Sequence, residues 1–211
     1  MRVLSSLAVV LVLLLFLPPP SSGQVSLGFQ GGLSLATVGG DDASDEIDYR
    51  TGIGIGALLA IPVSDMVSVQ PEVLYLQKGA KDTQEGADIT FEVNYVEVPL
   101  LLKIDVPTEG IVAPYFMFGP AIGFKAGCQI TGEDEGVSVE IDCDEAGIDI
   151  KSIDFGGVIA AGLGIEKGPG QIMLGARYNL GLTTIDDSSD EEDIKSRAFT
   201  FLAGYSFPVG G

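Results

Sequence analysis

The sequence predicts an all-β protein, an eight-stranded antiparallel up-and-down transmembrane β-barrel. Three observations predict it. Apolar residues recur with period two in eight segments of about 11 to 15 residues, and the connections between those segments alternate short and long. No run after residue 23 reaches the roughly 18 apolar residues that would suggest a membrane helix.

The chain opens Met1-Arg2, turns apolar from Leu7 to Leu17, breaks at Pro18-Pro19-Pro20 and then offers Ser21, Ser22 and Gly23. A short charged start, an apolar core too short to span and small residues before a cut describe a secretory signal peptide over 1–23, cleaved before Gln24. Residues 24–211 then form one barrel domain.

In the first strand Val25, Leu27, Phe29, Leu33 and Leu35 alternate with Ser26, Gly28, Gln30, Gly32 and Ser34. The second sets Tyr49, Ile53, Ile55, Ala57, Leu59 and Ile61 against Arg50, Gly52, Gly54 and Gly56. Its glycines resemble a phosphate loop or a helical GxxxG. Yet no Lys-Ser/Thr follows them, and the apolar run stops at Pro62, about half a helical span along. A strand remains. The third (Val67 to Lys78) opposes Val69, Val73 and Tyr75 to Gln70, Glu72 and Lys78; the fourth (Tyr95 to Asp105) opposes Val96, Val98, Leu100 and Leu102 to Glu97 and Lys103. The fifth opposes Phe116, Phe118, Ile122 and Phe124 to Tyr115, Gly119, Gly123 and Lys125. The sixth opposes Phe155, Ile159, Leu163 and Ile165 to Asp154, Gly156 and Gly162; the seventh opposes Ile172, Leu174, Tyr178 and Leu180 to Gly175, Arg177 and Asn179. In the eighth, Phe199, Phe201, Tyr205 and Phe207 alternate with Thr200, Gly204 and Ser206.

The turns at 62–65, 106–113 and 167–170 are short. The connections at 37–48, 79–90, 127–150 and 186–195 are long and hold 22 of the 30 acidic residues. Long acidic loops at one end and short turns at the other fit a barrel inserted from one side. Removing residues 1–23 takes away only Arg2 of the 11 basic residues and no acid, leaving a net charge of −20. Nucleic acid is therefore excluded as a partner.

The faces are assigned by composition. The apolar phase is bulky and aromatic, whereas the other is rich in glycine with scattered charges of both signs. A soluble barrel would turn the apolar phase inward. Here the glycine-rich phase suits a narrow lumen, and Glu72, Glu97, Lys103, Lys125, Asp154 and Arg177 are the candidate lumen charges, satisfying one another as ion pairs. Cys128 and Cys143, an even count in an exported chain, suggest a disulfide.

The segment Asn94-Tyr95-Val96-Glu97-Val98-Pro99-Leu100-Leu101-Leu102-Lys103, preceded by Val69-Gln70-Pro71-Glu72-Val73-Leu74-Tyr75-Leu76-Gln77-Lys78-Gly79, resembles the PorT-like small outer-membrane barrels common in Bacteroidetes. Pro114-Tyr115-Phe116-Met117-Phe118-Gly119-Pro120 and Gly175-Ala176-Arg177-Tyr178-Asn179-Leu180 fit the same pattern. The resemblance implies a barrel in the outer membrane, with outer-membrane lipid and the barrel-assembly machinery as partners. It implies no assigned activity, although the name-giving member is linked to protein secretion. Phe207 would serve as the aromatic signal read in assembly, but Pro208-Val209-Gly210-Gly211 follows it.

Chemistry is sparse. Without histidine there is no Ser-His-Asp arrangement and no His-ligated metal. Glu72 and Glu97 are the one pair of carboxylates considered for hydrolysis. Asp142-Cys143-Asp144-Glu145-Ala146-Gly147 opens like a calcium loop, but Ala146 and Ile153 stand at ligand positions. Divalent cations thus enter only as loose partners of the acidic loops, and no cofactor is expected. The expected role is a non-enzymatic structural, adhesion or assembly/secretion-associated protein. The alternatives are a small pore for ions or solutes and a soluble periplasmic ligand-binding barrel.

Overall fold

The computed structural model describes residues 23–40, 48–84, 87–134, 137–185 and 194–210. The proposed signal segment (apart from Gly23), most of the 37–48 loop and the acidic run 186–193 lie outside the described residues. So do residues 85–86, 135–136 and 211.

The described chain forms β1 Ser26–Gly39, β2 Asp48–Pro62, β3 Val67–Gln84, β4 Ala87–Asp105, β5 Val112–Asp134, β6 Val137–Asp142, β7 Ile153–Lys167, β8 Gly170–Gly181 and β9 Lys195–Pro208. Antiparallel pairing runs β1-β2-β3-β4-β5-β7-β8-β9, and β9 returns to β1 from Ser26↔Pro208 to Gly39↔Lys195. The eight-stranded barrel is closed, as the period-two pattern predicts, and closure leaves its wall no unpaired edge.

The ninth strand is a correction. The connection over 127–150 contains β6, which pairs with the end of β5 and with no other strand among the described residues. Its alternation of Val137, Val139 and Ile141 with Ser138, Glu140 and Asp142 is itself a strand pattern, hidden by the acidity of the segment. The 79–90 connection is likewise mostly strand: β3 runs on to Gln84 and β4 starts at Ala87. Gly79 permits this with φ of 133°, where a Cβ would meet the carbonyl of Phe91. A tilted strand needs about 9 to 11 residues to cross a bilayer. With 18, 19 and 23 residues, β3, β4 and β5 therefore extend well beyond it, on the side of the long connections.

The faces are inside-out relative to a soluble barrel. Phe29, Ile53, Ile55, Val73, Phe116, Phe118, Phe155, Ile159 and Phe201 are exposed on the outer wall, whereas Gln70, Glu72, Lys78, Glu97, Asp154, Arg177 and Asn179 are buried. An apolar band of that extent is stable only against lipid, since each such side chain left in water forgoes about 1.5–3 kcal/mol. Leu58, Leu101, Tyr115, Met117, Val158 and Met173 pack together within the lumen beside the polar groups. Glycines make room for them: the Tyr115 ring lies where a Cβ on Gly162 or Gly175 would have to stand.

Candidate functional site

The lumen charges sit in tiers, ordered from the short turns toward the long connections by strand register. Nearest the short turns, Lys103 on β4 lies 2.8 Å from Asp105 Oδ1, 3.4 Å from Gln171 Oε1 and 5.1 Å from the centre of the Tyr115 ring. The Asp105 contact is an ion pair off the hydrogen-bonding direction, since Oδ1 accepts no hydrogen bond from protein.

In the middle tier Glu72 projects from β3 and Arg177 from β8, four strands apart in either direction around the eight-membered ring. Arg177 spans the lumen and donates twice to Glu72, from Nη1 to Oε2 at 2.9 Å and from Nη2 to Oε1 at 3.2 Å. Gln30 Nε2 donates to Oε2 at 2.8 Å and Gln70 Nε2 to Oε1 at 2.7 Å. Each carboxylate oxygen thus accepts two hydrogen bonds, the full capacity of an ionised Glu. A fully buried carboxylate is tolerated only under such saturation.

Farther out, Lys78 Nζ lies 2.9 Å from Glu97 Oε2 and 3.7 Å from Asp154 Oδ2, over the Tyr95 ring. Asn179 Nδ2 donates to Glu97 Oε1, and the Ser196 hydroxyl donates to Asp154 Oδ2 at 2.6 Å. At the rim Arg50 Nη2 meets Glu92 Oε1 at 2.7 Å, while its Nη1 donates to the Lys78 carbonyl at 3.0 Å.

Two spaces beside these groups are small. One of about 10 Å³ lies beside Lys78, Glu97, Asp154 and Asn179, and another of about 10 Å³ beside Gln30, Tyr115 and Arg177. Each is near the minimum for a single water. Among the described residues no group of three metal-ligating side chains converges.

This combination of a polar lumen, an apolar outer wall and a closed eight-strand ring is that of an outer-membrane barrel. The family description "Outer membrane protein beta-barrel domain" matches residues 7–207. The chain belongs to this family. It is similar in structure to Neisserial surface protein A, with a TM-score of 0.51 and 12% identity over 87% of this chain and 97% of that one. Two further similar structures are Ail, the attachment invasion locus protein of Yersinia pestis, and OprG from Pseudomonas aeruginosa. Ail has a TM-score of 0.44 and 15% identity over 88% of this chain and 100% of its own. OprG has a TM-score of 0.46 and 14% identity over 88% and 97%. At such identities the likeness to Neisserial surface protein A speaks to fold alone. No curated protein gives a significant sequence match.

Within this outer-membrane barrel, Glu72, Glu97, Lys103, Asp154 and Arg177 all point into the lumen and are paired as described. Lys125 stands apart: it is half-buried, beside a register shift where Tyr95 pairs with Lys125 but Asn94 with Gly127, and it meets no acid among the described residues. Lys78, Arg50, Asp105, Gln30, Gln70 and Asn179 complete the tiers. Lys78 shares the phase of Glu72, so strand parity marks it as lumenal, whereas Arg50 lies within a register shift between Tyr49 and Gly54 and is placed by its contacts with Glu92 and the Lys78 carbonyl. Cys128 and Cys143 form a disulfide with Cα atoms 5.5 Å apart, joining β5 to the turn that follows β6. Asp142, Asp144 and Glu145 are exposed around that turn, which closes with the Ala146 amide on the Asp142 carbonyl.

Proposed function

We propose that the chain is a non-enzymatic outer-membrane barrel whose lumen is a closed structural core and whose acidic long connections face outward. There they would serve adhesion, envelope integrity or a larger secretion or assembly complex. The observation that carries this reading is the mutual engagement of the lumen groups. Glu72 is saturated by Arg177 and two amides, Glu97 and Asp154 share Lys78, and the two spaces found beside these groups hold about one water each. Glu72 and Glu97 are both buried and already engaged by Arg177, Lys78 and side-chain amides, which speaks against the two-carboxylate hydrolysis.

The motif around Asn94 to Lys103 supports a place among the PorT-like members of the family. The apolar run Leu7 to Leu17 supports export with cleavage before Gln24, which amino-terminal sequencing of the mature protein tests.

Planar-bilayer recording tests the closed lumen. The wild-type protein is expected to give no steady conductance, because eight strands leave an interior that side chains fill. Reproducible wild-type channels that change with Arg177→Ala would instead establish a pore.

A further inference from the structure

The closed wall has no free edge, but the sheet above it does. Beyond the barrel, the ends of β3, β4 and β5 continue as one sheet, and β6 is its last strand. The Cys143 amide donates to the Cys128 carbonyl, which makes these two a hydrogen-bonded pair. Alternation along an antiparallel ladder then turns the amide and carbonyl groups of Ser138 and Glu140 away from β5. No described strand receives them.

The side chains of β6 divide cleanly between its faces. Val139 and Ile141 are 54% and 43% exposed on one face, and Ser138, Glu140 and Asp142 are exposed on the other. The apolar face is continued by cross-strand neighbours, Ile89 through Gly132 to Val139 and Phe91 through Ile130 to Ile141. A Cβ on Gly132 would meet nothing within 4 Å, so the row between Ile89 and Val139 is open. From residue 126 to 150 the chain carries eight acids and no lysine or arginine.

We infer that β6 is a docking edge for an extended, cationic segment of a protein partner, which adds to the sheet as a further strand. Its apolar residues would sit beside Val139 and Ile141, and its Lys or Arg side chains opposite Glu140 and Asp142. Main-chain hydrogen bonds to Ser138 and Glu140 would supply the attachment, and alternating side chains the selectivity. A second copy of this chain fits poorly, because pairing β6 with β6 sets acids against acids across the ladder. The inference deepens the surface-protein reading by naming a partner chemistry. It is tested on purified protein, where the edge is accessible whichever way the barrel is inserted in cells.

The experiment measures fluorescence anisotropy of a short labelled peptide of alternating lysine and valine against the full chain in nanodiscs. A glutamate-valine peptide serves as control. Saturable binding of the lysine peptide alone is expected. Ser138→Pro removes one outward amide while keeping every acid and every hydrogen bond to β5, and it should weaken binding about tenfold or more. Glu140→Lys, which leaves the edge backbone intact, should also weaken the lysine peptide and improve the control. Heat-dependent gel mobility verifies that the barrel of both variants folds, and wild-type resistance of the 127–150 segment to limited proteolysis verifies that β6 still forms. The inference is overturned if the lysine peptide does not bind, in which case the acids merely protect the edge from pairing. It is equally overturned if Ser138→Pro binds as wild type, or if the chain self-associates through β6 and excludes the peptide.

Discussion

Glu72 and Arg177 are 105 positions apart in sequence and on opposite walls of the ring, yet they meet in the lumen through two parallel hydrogen bonds. This pair ties β3 to β8 at a place where no backbone ladder can. Its side chains are 0% and 3% exposed, so neither charge is relieved by water if the other is lost.

Arg177→Ala is therefore expected to destabilise the barrel by about 3–5 kcal/mol, the cost of leaving a buried carboxylate unpaired. The temperature at which the folded form is lost on unheated gels reads this directly. A double variant, Glu72→Leu with Arg177→Met, should recover much of the loss, because replacing both charges removes the unpaired group.

The outer wall should respond to charge in the opposite sense from the lumen. Ile159 is 62% exposed to what the fold makes a lipid surface, so Ile159→Arg is expected to cost about 2–4 kcal/mol if it lies near the bilayer midplane. Urea unfolding in lipid vesicles, followed by circular dichroism, measures it. Glu109→Arg in an exposed short turn is expected to change little.

Gly175 supplies the space taken by the Tyr115 hydroxyl. Gly175→Val should force the ring aside and lower stability by about 1–3 kcal/mol, the usual cost of overpacking. Adding Tyr115→Ala should recover part of that loss, as an equilibrium-unfolding cycle over the four proteins would reveal.

Much of this arrangement is legible in the sequence because strand parity carries it. Glu72, Glu97, Asp154 and Arg177 fall on the glycine-rich phase, and the same parity that places isoleucines toward lipid places them in the lumen. What parity does not reveal is which strands face one another across the ring: that Arg177 reaches Glu72 rather than Glu97 depends on closure and shear. Lys125 illustrates the other limit. It follows the lumenal phase, but the register shift around Asn94 and Tyr95 falls beside it, and no alternation pattern announces a bulge. β6 was masked for a different reason, since its acids suit a solvated loop as well as the polar face of a strand.

The disulfide joins only the protruding hairpin, with a sequence separation of 15 residues. Cys128→Ser with Cys143→Ser should leave the barrel's heat-dependent mobility unchanged while making the 127–150 segment more sensitive to protease. Closing a loop of this size is worth about 3 kcal/mol in the chain-entropy view, and here that gain is local. Limited proteolysis followed by mass mapping locates the cuts.

The most direct measurement of the central claim is accessibility to a membrane-impermeant maleimide on intact cells, comparing Ser189→Cys in an acidic long connection with Glu109→Cys in a short turn. An outward-facing set of acidic connections predicts labelling of Ser189→Cys, in the 186–195 connection, on intact cells, and of Glu109→Cys only after the outer membrane is permeabilised. The reverse pattern, or labelling of neither in well-expressed, heat-modifiable protein, would contradict it.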